Sequence, residues 1–253
     1  EKSVNVITAK LVEQLTPPKV VEYARRFGIR QNIPPYMSIA LGSIEVSLID
    51  MVGAYTVFPN LGYRVTPHLV SRIEDGNGQI VEEHHTERKQ VLRKEVAFIM
   101  NQLLQGVVQN GSGFRARHLK APVGGKTGTT DGFTNAWFIG FSPSLTVGVW
   151  VGHEGSLKGL GRDETGSRAA SPIFVHFMDR YLAEYQEPQR FREPAGVVAV
   201  RIDRKTGKLL GDSCLFPLTE YFVSGTEPTE FCDRVAHEHV QDYYETGDEV
   251  ESD

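Results

Sequence analysis

The apolar positions of the chain change their period part-way along it. Val20, Val21, Tyr23, Ala24 and Phe27 recur at helical spacing behind Thr16-Pro17-Pro18, a cap with prolines in the first turn, and Gly28 closes the run. A second helical run starts at Ser47 and carries Leu48, Met51, Val52 and Tyr55 towards Asn60-Leu61-Gly62, and a third spans about Lys94 to Val108, ahead of Asn110-Gly111. Between them, residues 69–83 read as a hairpin around Asp75-Gly76-Asn77-Gly78. After Pro122 the pattern is that of strands: Val123 to Thr130, Ala136 to Phe141 and Leu145 to Gly152, with turns short enough to imply antiparallel pairing. Gly140, Gly148 and Gly152 would let another element lie close to that sheet. Residues 172–185 then return to helical spacing, with Ile173, Phe174, Phe177, Met178 and Tyr181 on one face to cover the sheet.

Helices, a meander and a covering helix make an α+β pattern. The expected division is a main domain over residues 1–192 and a small β unit over 193–235, in which residues 197–211 form a hairpin turned at Lys205-Thr206-Gly207. Residues 236–253 are acidic, lack periodic apolar positions and are expected to be a disordered tail.

Composition narrows the picture little. The chain has 253 residues, 40% hydrophobic and 23% charged, with a formal net charge of -5. With a pI of 5.9 it offers no nucleic-acid footprint. No apolar run is long enough to span a bilayer. Glu1-Lys2-Ser3 does not read as a natural start, so a signal segment or membrane anchor is expected upstream.

The stretch GGKTGTTDGFTNAWFIGF, residues 124–141, admits two chemistries. A phosphate-binding loop ending at Gly125-Lys126-Thr127 needs a glycine at position 120, which is Lys120, and needs a helix to follow where the sequence reads as strand. The other chemistry joins Lys-Thr-Gly-Thr, beginning at Lys126, to Ser-Val-Asn, residues 3–5. Each alone is usually a cap, a turn or a strand end. In this order they are two of the three elements of penicillin-recognising serine acyl enzymes.

In detail, residues 124–154 resemble the transpeptidase domain of class A penicillin-binding proteins, in which Lys-Thr-Gly-Thr-Thr is followed by Asn or Asp and then Ala-Trp-Phe. Further similarity lies in residues 40–62, in Thr165-Gly166 with residues 169–173, and in residues 221–232. The resemblance implies a penicillin-binding-protein or serine β-lactamase-like fold, an antiparallel sheet packed between helices with a helical subdomain and a small C-terminal β appendage. It also implies a peptidoglycan D,D-transpeptidase from a bifunctional cell-wall synthase, with D-Ala-D-Ala stem peptides and β-lactams as partners, no cofactor or metal, and an extracytoplasmic location.

The implied roles are specific. Lys126 supplies positive charge beside the substrate carboxylate and Ser3, and the hydroxyls of Thr127 and Thr129 donate hydrogen bonds to that carboxylate. The Thr129 backbone N–H contributes to the oxyanion hole. Gly128 leaves the strand edge clear for substrate, Ser3 relays a proton and Asn5 holds the substrate amide. Period-two alternation puts Thr127 and Thr129 on one side of the strand and Lys126 on the other, so their convergence comes from the resemblance alone.

The nucleophile motif is not among these residues: no serine has a lysine three positions on. It is expected upstream of Glu1, leaving this chain inactive by itself. Two other readings stand beside the transpeptidase. One is a serine β-lactamase, which would end soon after the covering helix, or a D,D-carboxypeptidase relative; the other is a non-catalytic binder of cell-wall peptide or of a partner, which would need no nucleophile. His84-His85 and His237-x-His239 lack further ligands at metal spacing, and no Gly-x-Ser-x-Gly elbow occurs. Trp137 and Trp150 read as sheet packing. Cys214 and Cys232, both in the small unit, are a disulfide candidate in an oxidising compartment.

Overall fold

The computed structural model describes residues 1–155, 158–186, 188–212 and 214–233. They divide into two compact units, Glu1–Arg192 and the described part of Glu193–Asp253. The expected acidic tail, 236–253, lies outside the described residues, as do His237 and His239.

The first unit opens with α1 (Asn5–Leu15) and α2 (Pro17–Arg26). They are separate helices because Pro17 disfavours the helical conformation in the residue before it, and Thr16, at φ +70° and ψ +140°, lies outside the helical region. A 3₁₀ turn, Met37–Leu41, leads to α3 (Leu48–Tyr55). Ser47 caps α3 through its hydroxyl, which accepts from the Asp50 N–H at 3.3 Å. Asp50 is buried and accepts from Arg30 at 3.0 Å and Gln31 at 3.1 Å, fastening the loop after α2 to α3. Burial opposes its charge, but those bonds and the Ser47 contact outweigh it and hold the carboxyl below its ordinary value.

Next come β1 (Tyr63–Val65), β2 (Arg72–Glu74), β3 (Ile80–Glu83) and β4 (Arg88–Gln90). The expected hairpin is β2 against β3, turned where the Asp75 carboxylate accepts from the N–H groups of Asn77 and Gln79 at 2.8 and 2.9 Å. β1 and β4 bracket it as a second antiparallel pair that the pattern did not announce.

α4 (Lys94–Asn110) runs into β5 (Gly124–Thr129), β6 (Asn135–Phe141) and β7 (Thr146–Gly152), and α5 (Ser171–Glu184) follows a π-helical turn, Gly166–Ala170. The three strands form one antiparallel sheet in the order β5-β6-β7, with Gly128 opposite Trp137 and Trp137 opposite Trp150. Ala136 and Phe138 look into a core shared with Val108 of α4 and with Phe174 and Met178 of α5. The Phe138 and Phe174 ring centroids are 4.7 Å apart. The other face receives α3: a side chain at Gly148 would run into Val52 and Leu48. The sheet therefore lies between helices, as the family resemblance implied. Gly152 departs from expectation, because a Cβ there would meet Trp150 and Asn135 of the same sheet rather than another element.

In the second unit, β8 (Val197–Asp203) pairs antiparallel with β9 (Pro217–Val223). This corrects the hairpin expected over residues 197–211. The predicted turn exists, held by the Asp203 carboxylate accepting from the Lys205 and Thr206 N–H groups at 3.0 Å each. The returning chain bonds to β8 around the isolated bridge Ile202–Leu209 without forming a strand there, and the longer run 217–223 fills the strand position. Cys214 and Cys232 are joined by a disulfide, with Cα atoms 6.3 Å apart.

Candidate active site

The site is built on the open edge of β5, whose sequence is Gly-Gly-Lys-Thr-Gly-Thr. Just beyond the strand, the Thr130 N–H donates to the Asn135 carbonyl at 3.1 Å. In an antiparallel ladder that bond phases the strand: residues 124, 126 and 128 bond to β6, whereas the N–H and C=O groups of residues 125, 127 and 129 point away from it. The Thr129 N–H is thus presented at the open edge.

Lys126 leaves the strand on the face opposite Thr127 and Thr129, as alternation requires. Its ammonium nevertheless reaches the same edge, donating to the Thr127 carbonyl at 2.8 Å and to the Ser3 hydroxyl. A flexible four-carbon stem lets it round the strand, so opposite-facing residues converge. Burial pushes this ammonium below the ordinary lysine value of 10.5.

Ser3 adopts φ +53°, a left-handed conformation that residues with a Cβ seldom visit. The segment is docked by Glu1, whose carbonyl accepts from the Ser112 N–H at 3.3 Å and whose carboxylate lies 3.4 Å from the Asn110 amide nitrogen. Gly111 permits the approach, since a Cβ there would overlap the Glu1 carbonyl. Asn5 opens α1 in an exposed position, and among the described residues no hydrogen bond ties its side chain to β5.

Both threonine hydroxyls already have partners. Thr127 Oγ1 is 2.7 Å from Ser112 Oγ, and Thr129 Oγ1 accepts from the Gly166 N–H at 3.0 Å. A side chain at Gly166 would strike the carbonyls of Trp137 and Gly128, so only glycine lets the π-helical turn rest on the strand pair. Neither Ser112 nor Gly166 was singled out for a role from the sequence; Gly166 appeared only within a stretch of similarity. Trp137 and Trp150 face each other across β6 and β7, and Trp150 donates its indole N–H to Asn135 at 2.8 Å.

The remaining features lie elsewhere. A cavity of about 420 Å³ is lined by Arg64, Thr66, Glu87, Arg88 and Lys89 and includes no residue of this edge. His84 and His85 stand beside Glu82 and Glu83 on the β2–β3 hairpin. Among the described residues, the group of metal-type side chains close enough to share an ion is Asp203, Cys214 and Cys232, and its two sulfurs are bonded to each other.

An antiparallel sheet thus lies between helices, with the Lys126, Ser3 and Thr127 side chains gathered near one strand edge. Residues 1–179 match the penicillin binding protein transpeptidase domain, and residues 193–237 match the penicillin-binding protein 1A C-terminal domain. The chain belongs to the penicillin-binding protein transpeptidase family. Penicillin-binding protein 1A of Aquifex aeolicus is 38% identical over 231 residues, which cover 91% of this chain and 31% of that protein. The crystal structure of penicillin-binding protein 1A from Haemophilus influenzae is similar with a TM-score of 0.84 at 26% identity, covering 92% of this chain and 40% of that one. The PonA1 protein from Mycobacterium tuberculosis, solved in complex with penicillin V, is similar with a TM-score of 0.63 at 25% identity, covering 74% of this chain and 56% of that one. The chain thus spans about a third of the length of the curated relatives it matches.

Proposed function

We propose that the chain forms the carboxylate-binding and oxyanion-binding wall of a peptidoglycan D,D-transpeptidase that β-lactams acylate. The observation that carries this reading is the Lys126 ammonium, which joins the Ser3 hydroxyl to the edge of β5 where the Thr129 N–H lies open. A stem peptide ending in D-Ala-D-Ala lies along that edge, its terminal carboxylate beside Lys126 and Thr127 and its scissile carbonyl oxygen at the Thr129 N–H. A serine hydroxyl adds to the carbonyl carbon, its proton is relayed through Ser3 to the D-alanine nitrogen, and the C–N bond breaks to release D-alanine. An amine of a neighbouring stem then takes the acyl group and releases the serine. Asn5 holds the substrate amide.

The attacking serine belongs to a Ser-x-x-Lys motif that these 253 residues do not contain. The substrate sets the location outside the cytoplasm; among the described residues no helix is long and apolar enough to cross a membrane. The match of residues 193–237 to a penicillin-binding protein 1A domain favours this reading over a β-lactamase, a carboxypeptidase or a non-catalytic binder.

Mass spectrometry of the full-length protein after exposure to penicillin tests the proposal. One acyl adduct is expected, on a serine followed three positions later by lysine, with none on this chain expressed alone. A stoichiometric adduct on a serine of this chain, or no adduct on the full-length protein, would overturn it.

A further inference from the structure

We infer that Ser112 is a positioning residue for the carboxylate anchor: its hydroxyl donates to Thr127, which leaves the Thr127 proton free for the substrate's terminal carboxylate. The inference rests on the transpeptidase reading and extends it to a residue outside both motifs.

The two hydroxyl oxygens are 2.7 Å apart and part-buried, and either could donate to the other. If Thr127 donates to Ser112, its single proton is spent, and it presents only lone pairs to an incoming anion. If Ser112 donates, Thr127 can accept that bond and still donate onward. A carboxylate only accepts, and the Lys126 ammonium beside the Thr127 carbonyl favours an anion at this edge. With substrate bound, the second arrangement therefore prevails. The chain Ser112 to Thr127 to carboxylate is also cooperative, each bond polarising the next.

Ser112 is held by its own backbone. The N–H groups of Gly111 and Gly113 both donate to the Val107 carbonyl at 3.1 Å, tying the loop to the last turn of α4. The Ser112 N–H donates to Glu1. A Cβ at Gly111 would overlap the Glu1 carbonyl, and one at Gly113 would lie 3.3 Å from both the Val107 carbonyl and the Val108 Cα. The loop thereby grips the Ser3 segment with its backbone and β5 with its one side chain. That sets the spacing between the two motifs and the rotamer of Thr127 together.

The test compares acylation of the full-length protein by a penicillin and by its methyl ester, which lacks the carboxylate charge. Ser112→Ala is expected to slow the free acid about three- to tenfold, the range of one hydrogen bond, and to leave the ester nearly unchanged. The preference for acid over ester should shrink by the same factor. Thr127→Ala combined with Ser112→Ala should be no slower than Thr127→Ala alone, since both act through one chain. If Ser112→Ala fails to fold, Ser112→Cys, similar in size but a weak donor, is expected to show the same loss of preference. An equal loss for acid and ester means the loop is merely structural and overturns the inference. An unchanged acid preference overturns it as well. A wild-type protein that penicillin does not acylate defeats the transpeptidase reading and this inference with it.

Discussion

Replacing Lys126 with alanine removes the charge that the structure places at the open edge of β5 beside both Ser3 and the Thr127 carbonyl. A hydrogen bond to a charged group contributes roughly 1.5–3 kcal/mol, so losing the carboxylate's partner should slow acylation about ten- to a hundredfold. Thr127→Ala should cost less, because it deletes a neutral donor. Thr129→Ala should resemble it, because the backbone N–H survives. The assay is the pseudo-first-order rate of penicillin acylation of the full-length protein, with unfolding temperature as the folding control. Burial lowers the pKa of Lys126, so the ammonium discharges below 10.5 and acylation should fall on its alkaline side below that value. Lys126→Arg, which does not titrate there, should lose this limb. Stability moves the other way. Between the lowered folded pKa and the unfolded one, the unfolded chain binds more protons, so the fold gains stability as pH rises through that window. A folded Lys126→Ala variant that acylates at the wild-type rate would refute the assignment of the edge as a carboxylate site.

Two further outcomes follow from packing and covalent constraint. Gly166→Ala should cost about 1–3 kcal/mol by driving a methyl into the Trp137 and Gly128 carbonyls, lowering the unfolding temperature and slowing acylation together; native values for both would show that the π-helical turn does not rest on the strands. The Cys214–Cys232 bond closes a loop of sequence separation 18 and should stabilise the second unit by about 3 kcal/mol, read as a shift in urea midpoint on reduction. Two free thiols titrated in oxidatively purified protein would contradict it.

The sequence by itself determined those features whose signals are local. The helical run starting at Ser47, the Asp75 turn and the strands after Pro122 each depend on neighbours within one or two turns of chain, and each became the element its pattern implied. Lys126, Thr127 and Thr129 stood out as candidates because motif order is also a linear property. α1 escaped because Val4 at its N-cap offers no side-chain cap, although Ile7, Leu11 and Leu15 recur every fourth residue. The failed return of the 197–211 hairpin shows the limit of turn chemistry: Asp203 made the turn, but the partner strand was decided by which run could pair over seven residues. Only the tertiary structure could bring Lys126 round an edge to a serine 123 positions away, or put Ser112 against Thr127 and Gly166 over Gly128. Those contacts carry no period, because what sets them is how closely separate elements approach, and that distance is fixed by the packing of α4, the sheet and the π-helical turn on one another.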